Sequence, residues 1–317
     1  MNVLITGASG FIGHALCNTL AEKGHIVKGA FRSQEKLLKY KNNMDCVAIG
    51  EIGPNTNWTE ALRGVDVIIH LAAIAHVIKK SSVNLSDDFR RVTTQGTERL
   101  ADMAANAKIR RLIFLSTVKV NGEQTIDQPF VETDLPHPHD PYAISKWEAE
   151  QALYKISKET GLEVVILRPP LVYGTGVKAN FLRLLQLVDR NIPLPFLNLD
   201  NRRSLIYLGN LVDAIVTCCV HPNAKGETFL VSDGENVSTP ELIRMIASAM
   251  NKKAKLFPCP ESLLKTVVAL LGKKEELDRL LRSLRIDSSK IRKVLNWTPP
   301  FSMRDGIAET VKWYINR

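Results

Sequence analysis

The chain has 317 residues, of which 45% are hydrophobic and 24% are charged, and its formal net charge is +9 at pH 7. This length and composition are typical of a soluble globular protein with a large core, built as one domain or as a domain with a smaller lobe. The positive charge favours an anionic ligand, but the lysines and arginines form no arginine-rich or aromatic-interleaved patch, so a nucleic-acid partner is not expected.

A glycine-rich turn follows the first predicted strand. Residues 2–6 form a short apolar run, and an amphipathic helix follows the glycines. Gly7 allows a tight turn, Gly10 lets the backbone approach a pyrophosphate, and Gly13 allows close packing of helix on strand. Phosphates then meet the free amides at the helix N-terminus. The segment predicts a dinucleotide site, with a plain turn as the alternative; its residues are Gly7, Ser9, Gly10, Phe11, Ile12 and Gly13.

The second predicted strand, 25–31, ends at a residue that bears on cofactor choice. In such folds an acidic residue there binds the 2′-hydroxyl of NAD, whereas an arginine accommodates the 2′-phosphate of NADP. This chain has Arg32 and Ser33 and no acid at that place. We therefore expect NADP as the cofactor. NAD is the alternative, and in that case Arg32 only flanks the adenine.

Strands and helices alternate through the middle of the chain. Residues 66–73, 111–117 and 163–170 predict buried strands, and residues 86–107 have helical periodicity. The alternation predicts an α/β fold with a parallel sheet and right-handed crossovers. Ligands bind at the carboxyl ends of such strands, where this chain has Thr117 and the turn Leu71-Ala72-Ala73.

A tyrosine and a lysine four residues apart follow a proline-rich loop. Positions i and i+4 of a helix share a face, so we expect Lys146 to lie beside the phenol of Tyr142. A free tyrosine has a pKa of about 10, which a nearby ammonium and the positive nicotinamide of an oxidised cofactor would lower. The pair then supplies a proton-transfer group beside a hydride carrier. A buried tyrosine with a chance lysine one turn later is the alternative.

The C-terminal part contains a basic amphipathic segment, 262–285. We expect it to form a lid or a subunit contact rather than a membrane contact. Because no apolar run reaches membrane-spanning length and no signal peptide precedes the first strand, we expect a cytoplasmic protein. The cysteines at 17, 46, 218, 219 and 259 lack metal-ligand spacing, fit buried thiols in a reducing compartment, and predict no metal site.

Several different motifs, which together form one recognisable set, are distributed along the whole chain. They are the glycine segment 6–13, the turn His70-Leu71-Ala72-Ala73, the Tyr142 and Lys146 pair, and the segments 168–174, 203–208 and 295–299. This set resembles the extended short-chain dehydrogenase/reductase superfamily, in its nucleotide-sugar epimerase/dehydratase branch. The resemblance implies a Rossmann-type doubly wound parallel sheet in residues 1–170, with later returns of the chain, and a smaller α/β substrate lobe in residues 171–317. It also implies a homodimer.

The resemblance assigns roles to single residues. Tyr142 is implied as the acid/base and Lys146 as its ribose-binding partner. Thr117 is implied as the hydroxyl that bonds the reacting oxygen, with Ser116 as a fallback. Asn180 and Arg203 match positions that hold the diphosphate of a sugar nucleotide, while a surface ion pair is the alternative for Arg203. Further cofactor contacts are implied for Glu51 and Ile52, which would clamp the adenine, and for Leu71, Ala72, Ala73 and Pro169.

Two departures from the family pattern narrow the reaction. Sugar-nucleotide 4,6-dehydratases carry an Asp-Glu pair after the threonine, and those acids move the proton and the hydroxyl; here Val118 and Lys119 stand in their place. Thr93 stands where many relatives have an asparagine, which weakens the expected hydrogen bonding near the nicotinamide. Net reduction and epimerisation remain, and Arg32 favours reduction by NADPH.

We therefore expect an NADP-dependent reductase of a 4-keto sugar nucleotide, of the UDP-4-keto-6-deoxy-N-acetylhexosamine type, in surface-polysaccharide biosynthesis. An NAD-dependent 4-epimerase of a UDP-hexose or UDP-N-acetylhexosamine is the alternative. A non-catalytic NADP-sensing module is a third possibility, but a sensor needs only the glycine loop and not Tyr142, Lys146 and Thr117. We expect the loop 74–92, the segment 175–200 and the C-terminal lobe to form the sugar pocket, but none of them has a sequence pattern that identifies the sugar.

Overall fold

The computed structural model describes residues 1–38, 40, 44–73, 85–260 and 281–317. Residues 74–84 of the predicted sugar-binding loop, and residues 262–280 of the basic segment 262–285, lie outside the described residues. The predicted lid or subunit contact of that segment therefore stays a prediction. Among the helices that are described, none has both the length and the apolarity that a membrane crossing requires.

The described strands form two sheets. In chain order they are β1 (Asn2–Thr6), β2 (Ile26–Phe31), β3 (Asp45–Ala48), β4 (Val67–His70), β5 (Arg111–Leu115), β6 (Glu163–Arg168), β7 (Leu171–Tyr173), β8 (Arg203–Tyr207), β9 (Thr228–Leu230) and β10 (Asn236–Val237).

Seven parallel strands form the larger sheet, in the order β3-β2-β1-β4-β5-β6-β9. The chain runs outward from β1 to β3, then returns to the other side of β1 and continues outward from β4. The doubly wound parallel sheet that the sequence predicts is thus confirmed. The order reverses between β1 and β4, and the carboxyl ends of strands at such a switch point are where sheets of this kind bind ligands.

The described helices connect the strands, and some of them cover the two faces of this sheet. In chain order they are α1 (Phe11–Glu22), α2 (Gln34–Leu38), α3 (Thr59–Leu62), α4 (Leu85–Phe89), α5 (Gly96–Asn106), α6 (Pro141–Thr160), α7 (Ala179–Asp189), α8 (Leu208–Val220), α9 (Thr239–Ala249), α10 (Ser289–Leu295) and α11 (Met303–Ile315).

Alternating strand residues divide the core into two layers. Val3 and Ile5 of β1 pack in one cluster with residues of α1 and α8, whereas Leu4 packs in the opposite cluster with residues of α5 and α6. The alternation follows from the period of two along a strand. Each fully buried aliphatic side chain contributes about 1.5–3 kcal/mol. The two layers therefore hold the carboxyl ends of the strands, and the turns that follow them, on a rigid base.

The helix predicted at 86–107 is interrupted. α4 ends at Phe89, a π-helical turn spans Arg90–Gln95, and α5 begins at Gly96. The turn faces α6, because Arg90 donates to the Glu148 carboxylate at 2.6 Å and the Thr94 hydroxyl donates to the Ser145 carbonyl at 3.1 Å. A periodic apolar pattern does not reveal such a turn. Turns of this type are frequent at functional sites.

The smaller sheet belongs to a second lobe. β8 pairs in parallel with β7 and in antiparallel with β10. A separate apolar cluster beneath it includes residues of α7, α9 and α11. The chain also returns to the first lobe after residue 170, because β9 joins the larger sheet and α8 packs on α1. The exact division at residue 170 stays a prediction.

Candidate functional site

The glycine turn after β1 has room for glycine alone at two of its positions. Gly7 has a φ of +72°, and a Cβ there would lie 3.0 Å from the Ala72 amide nitrogen. A Cβ on Gly13 would lie 2.2 Å from the Gly7 carbonyl oxygen. The start of α1 at Gly10 has no side-chain cap, and Ser9 and Gly10 are exposed. The free amides at this helix start fit the phosphates of a dinucleotide.

A buried polar chain ties the end of β1 to the end of β4. The Thr6 hydroxyl shares a hydrogen bond of 2.6 Å with His70 Nδ1 and accepts one from the Ala72 amide at 3.2 Å. His70 Nε2 in turn lies 3.0 Å from the Thr97 hydroxyl. Burial lowers the pKa of His70 to about 3, so the imidazole is neutral. These bonds hold the predicted cofactor residues Leu71, Ala72 and Ala73 against the glycine turn.

Arg32 and Glu51 form an ion pair just beyond the carboxyl ends of β2 and β3, and these two residues make up the rim of the site. The guanidinium of Arg32 lies 3.5 Å from the Glu51 carboxylate, and both side chains are more than half exposed. The two residues come together because β2 and β3 run in parallel, with Phe31 opposite Ala48. Ile52 is buried instead, packed so that a Cβ on Gly96 would lie 2.5 Å from its methyl group. Ile52 therefore belongs to the core, and its predicted adenine contact stays a prediction.

Tyr142 lies in the first turn of α6. Asp140 caps this helix by accepting a hydrogen bond from the Ala143 amide at 2.7 Å, and Pro141 occupies its first turn. The ring of Phe89 packs edge-on against Tyr142, 6.0 Å away. Burial raises the pKa of Tyr142 to about 12, and the negative charge of Asp140 acts in the same direction. The sequence led us to expect a lowered pKa, but among the protein groups burial and the charge of Asp140 both raise it.

Lys146 is buried one turn further along α6. Its ammonium donates to the Leu115 carbonyl at 2.7 Å, at the carboxyl end of β5, and lies 4.3 Å from the centre of the Phe114 ring. Burial lowers the pKa of Lys146 to about 7, while the charge of Glu150 opposes this. The carbonyl uses one of the three ammonium donors. The others can serve a ribose hydroxyl, as the resemblance implies.

Ser116 and Thr117 lie side by side but differ in what their hydroxyls do. The buried Ser116 hydroxyl donates to the Glu150 carboxylate at 2.5 Å. Thr117 is partly exposed, and its oxygen accepts a hydrogen bond from the Lys119 amide at 3.3 Å, which leaves its proton available. Of the two predicted hydroxyls, Thr117 is therefore the one that the structure leaves free to bond a reacting oxygen.

Behind these residues lies a buried charge network that the sequence motifs do not indicate. Glu150 accepts two hydrogen bonds from the Arg168 guanidinium, at 3.0 and 2.5 Å, and Arg168 also donates to Asn121 at 3.0 Å. All three side chains are buried. Glu150 lies four residues after Lys146, so it shares the inner face of α6 with the lysine. An acidic residue on that otherwise apolar face is the sequence signal that indicates the network. Removing one partner of such a pair costs about 3–5 kcal/mol.

Other predicted residues lie at the edges of this region. Pro169 accepts a hydrogen bond from the Val118 amide at 3.0 Å, which joins β6 to the Thr117 turn. Asn180 lies in the first turn of α7. In the loop before this helix, a Cβ added to Gly176 would lie 3.5 Å from the Phe11 ring. The loop before α7 thus reaches the glycine turn. The Thr93 hydroxyl is buried without a hydrogen-bond partner among the described residues.

Arg203 begins β8 in the second lobe. It is partly buried, and its guanidinium donates to the Arg282 carbonyl at 2.9 Å. A cleft of about 440 Å³ has a lining that includes Asn198, Asp200, Asn201 and Ser283, and Arg203 is not among its lining residues. The polar lining suits a ligand with several hydrogen-bonding groups. The role of Arg203 in holding a diphosphate stays a prediction.

We expect the substitution Thr117→Val to lower turnover with a sugar nucleotide roughly 10- to 100-fold, because a charge-assisted hydrogen bond is worth about 1.5–3 kcal/mol. Ser116 cannot replace the lost hydroxyl, because its proton is used by Glu150. Steady-state kinetics would measure the effect. Ser116→Ala is the control and should lower thermal stability instead. Turnover of Thr117→Val at the wild-type rate would remove Thr117 from the reaction.

Comparisons with known proteins extend over the whole chain. A model of the NAD dependent epimerase/dehydratase family matches residues 3–232. A Vibrio cholerae protein named UDP-glucose 4-epimerase is 40% identical over 317 residues, with 99% of this chain and 95% of the relative covered. A UDP-glucose 4-epimerase of Mycolicibacterium smegmatis is 30% identical over 334 residues, with 100% and 99% covered.

A solved structure shares the fold. The UDP-glucuronic acid 4-epimerase of Bacillus cereus in complex with NAD superposes with a TM-score of 0.79 at 24% identity, covering 99% of this chain and 96% of that one.

Proposed function

We propose that this chain, which belongs to the NAD dependent epimerase/dehydratase family, is a 4-epimerase of UDP-hexoses that uses NAD. The observation that carries the proposal is the end-to-end identity of 40% with the Vibrio cholerae protein named UDP-glucose 4-epimerase. The Mycolicibacterium smegmatis relative has the same name. These relatives favour the epimerase alternative over the 4-keto reductase that Arg32 suggested. The homodimer implied by the resemblance stays a prediction.

Inversion at C4 needs a proton carrier and a hydrogen bond at one oxygen of the sugar. When bound, NAD would supply a nicotinamide that accepts the hydride of C4 and returns it to the opposite face of the same carbon. The Tyr142 phenol oxygen takes the proton of the 4-hydroxyl and later returns it, and the Thr117 hydroxyl orients the same oxygen. The Lys146 ammonium, fixed by the Leu115 carbonyl, would orient the ribose of a bound cofactor.

The residues at the rim fit NAD better than NADP. The Arg32 guanidinium could meet a 2′-phosphate, but the Glu51 carboxylate lies only 3.5 Å from it. The pair is therefore close to neutral, and the carboxylate repels a phosphate that approaches the arginine. A ribose 2′-hydroxyl, by contrast, can donate to Glu51. We propose that Glu51 supplies the acidic group that the sequence lacks directly after β2.

We expect wild-type protein to bind NAD more tightly than NADP, and Glu51→Gln to strengthen NADP binding about tenfold, since a charge-assisted contact is worth about 1.5 kcal/mol or more. Arg32→Asp should leave NAD affinity nearly unchanged and weaken NADP further. Titrations of both cofactors against the three proteins would measure this. A wild type that prefers NADP would contradict the cofactor proposal and revive the reductase.

The function itself can be tested by incubating purified protein with UDP-glucose and following UDP-galactose by chromatography, without added cofactor and with added NAD. An epimerase returns its hydride, so one bound NAD should support many turnovers. A panel of UDP-, dTDP- and GDP-sugars extends the test to other substrates. Consumption of NADPH with a 4-keto sugar nucleotide, without epimerisation of any UDP-hexose, would overturn the proposal.

A further inference from the structure

Asp140, the residue that caps α6, uses its two carboxylate oxygens differently. Oδ1 accepts the hydrogen bond of the Ala143 amide at 2.7 Å. Oδ2 forms an ion pair with the Lys119 ammonium. The backbone carbonyl of Asp140 also accepts a hydrogen bond from the Ile144 amide at 2.9 Å. One residue thus fixes the first turn of the helix that carries Tyr142 and joins that turn to Lys119.

Lys119 belongs to the turn that carries Thr117. Residues Val118–Val120 form a short 3-10 helix, and Thr117 caps it by accepting a hydrogen bond from the Lys119 amide at 3.3 Å. The same turn is joined to β6 by the bond from the Val118 amide to the Pro169 carbonyl at 3.0 Å. The ion pair between Lys119 and Asp140 therefore connects the two elements that carry the two reactive hydroxyls.

The pair is sheltered rather than fully solvated. The side chain of Lys119 is 27% exposed and that of Asp140 is 31% exposed, and Lys119 also lies 3.4 Å from the Glu123 carboxylate. Ion pairs on an open surface contribute little, but partial burial strengthens the attraction and reduces screening by salt. This chain thus has a lysine where the dehydratases have an acid after the threonine. Through its ion pair with Asp140, Lys119 contributes to the surroundings of Tyr142.

Several charged groups surround the start of α6. On the adjoining turn these are Lys119 and Glu123, and on α6 itself Asp140 and Lys146. On the neighbouring side, Asp88 of α4 pairs with Arg91 of the π-helical turn. Arg90 of the same turn pairs with Glu148 of α6. Asp87 of α4 also lies near Arg90. Burial is the main cause of the raised pKa of Tyr142, and the negative charge of Asp140 raises it further by disfavouring the phenolate.

We propose that Lys119 is a positioning residue for Tyr142: by pairing with Asp140, it holds the start of α6 against the Thr117 turn and offsets the negative charge of Asp140 at the phenol. The inference rests on the proposed function in taking Tyr142 as the proton carrier. It adds a residue that is not among the predicted catalytic residues Tyr142, Lys146, Thr117 and Ser116. The lysine acts through the charge and the position of Asp140.

Two substitutions separate this role from simple structural support, because they shift the pH dependence in opposite directions. Lys119→Met leaves Asp140 uncompensated, so the rising limb of turnover against pH moves upward, by about one pH unit for a partly screened charge. Asp140→Asn removes the negative charge but keeps an N-cap residue, so the limb moves downward. Lys119→Arg keeps the charge and should restore the wild-type profile.

A titration that needs no sugar nucleotide keeps the test independent of the proposed function. The tyrosinate absorbance of NAD-saturated protein, with the signal of Tyr142→Phe subtracted, reports the ionisation of Tyr142 directly. Lys155→Met is the matched control, because Lys155 is an exposed lysine of the same helix. It should change neither the titration nor the turnover profile, and thermal melting identifies any variant that is misfolded.

The outcomes are distinct. Opposite shifts in Lys119→Met and Asp140→Asn, with rescue by Lys119→Arg, support the proposal even if wild type epimerises no UDP-hexose, a result that would count against the proposed function alone. Equal losses of turnover in both variants, with unmoved titration curves, would overturn the proposal and leave the ion pair a purely structural contact.

Discussion

Replacing Tyr142 with phenylalanine should lower epimerase turnover by about 10²–10⁴-fold, the range typical of a lost general acid–base group. Cofactor affinity should stay within a few-fold of the wild type, because the glycine turn, the Thr6–His70 chain and the Lys146 ammonium do not depend on the phenol oxygen. Steady-state kinetics with UDP-glucose and a fluorescence titration with NAD would measure the two effects.

The same helix offers a control for this substitution. Tyr154 of α6 forms a hydrogen bond with the Thr228 hydroxyl of β9. Tyr154→Phe removes an equal group but should reduce thermal stability and leave turnover nearly unchanged. If Tyr142→Phe retained turnover close to that of the wild type, Tyr142 would not be the proton carrier, and the proposed mechanism would be wrong.

Replacing Arg203 with alanine should raise KM for a UDP-hexose far more than it changes cofactor affinity. Truncating one partner of a buried charged pair costs roughly 2–5 kcal/mol, or about one and a half to three and a half decades in affinity. A planar guanidinium can bond two oxygens of a diphosphate at once, and Arg203 carries such a group at the start of β8, two residues after Asn201, which lines a polar cleft.

The neighbouring residue serves as the control. Arg202 is exposed and pairs with Glu241 at 3.0 Å and with Asp200 at 3.4 Å. Surface ion pairs contribute about 0–1 kcal/mol, so Arg202→Ala should alter KM little. Thermal melting of both variants separates a binding effect from a folding effect. An unchanged KM in Arg203→Ala would remove Arg203 from the site and weaken the assignment of a nucleotide-sugar substrate.

Local spacing allowed much of the site to be predicted. The glycine spacing predicts a strand–turn–helix unit because two of its constraints are local. Gly7 has a φ of +72°, and a Cβ on Gly13 would lie 2.2 Å from the Gly7 carbonyl oxygen. Tyr142 and Lys146 are one helical turn apart, and they do lie on one helix. The alternation of strands and helices was enough to predict a parallel sheet, and the family resemblance implied that the sheet is doubly wound.

The sequence could not predict which charged residues of the site pair with one another. Arg32 alone suggested NADP, but the parallel pairing of β2 and β3 brings Glu51 beside it. Lys119 stands where the dehydratases carry a catalytic acid, and the sequence did not show that it pairs with Asp140, twenty-one residues later. Helical periodicity at 86–107 likewise concealed the π-helical turn, because one extra residue per turn alters the apolar pattern too little to detect.

The sequence by itself thus determined the fold class, the glycine turn and the spacing of Tyr142 and Lys146, because steric and helical constraints act between residues that are near each other in the chain. The tertiary structure alone decided how the phenol, the ammonium and the rim arginine are charged and paired. Those properties depend on burial and on partners such as Glu51, Asp140 and Glu150, which only the packing of distant segments brings into contact.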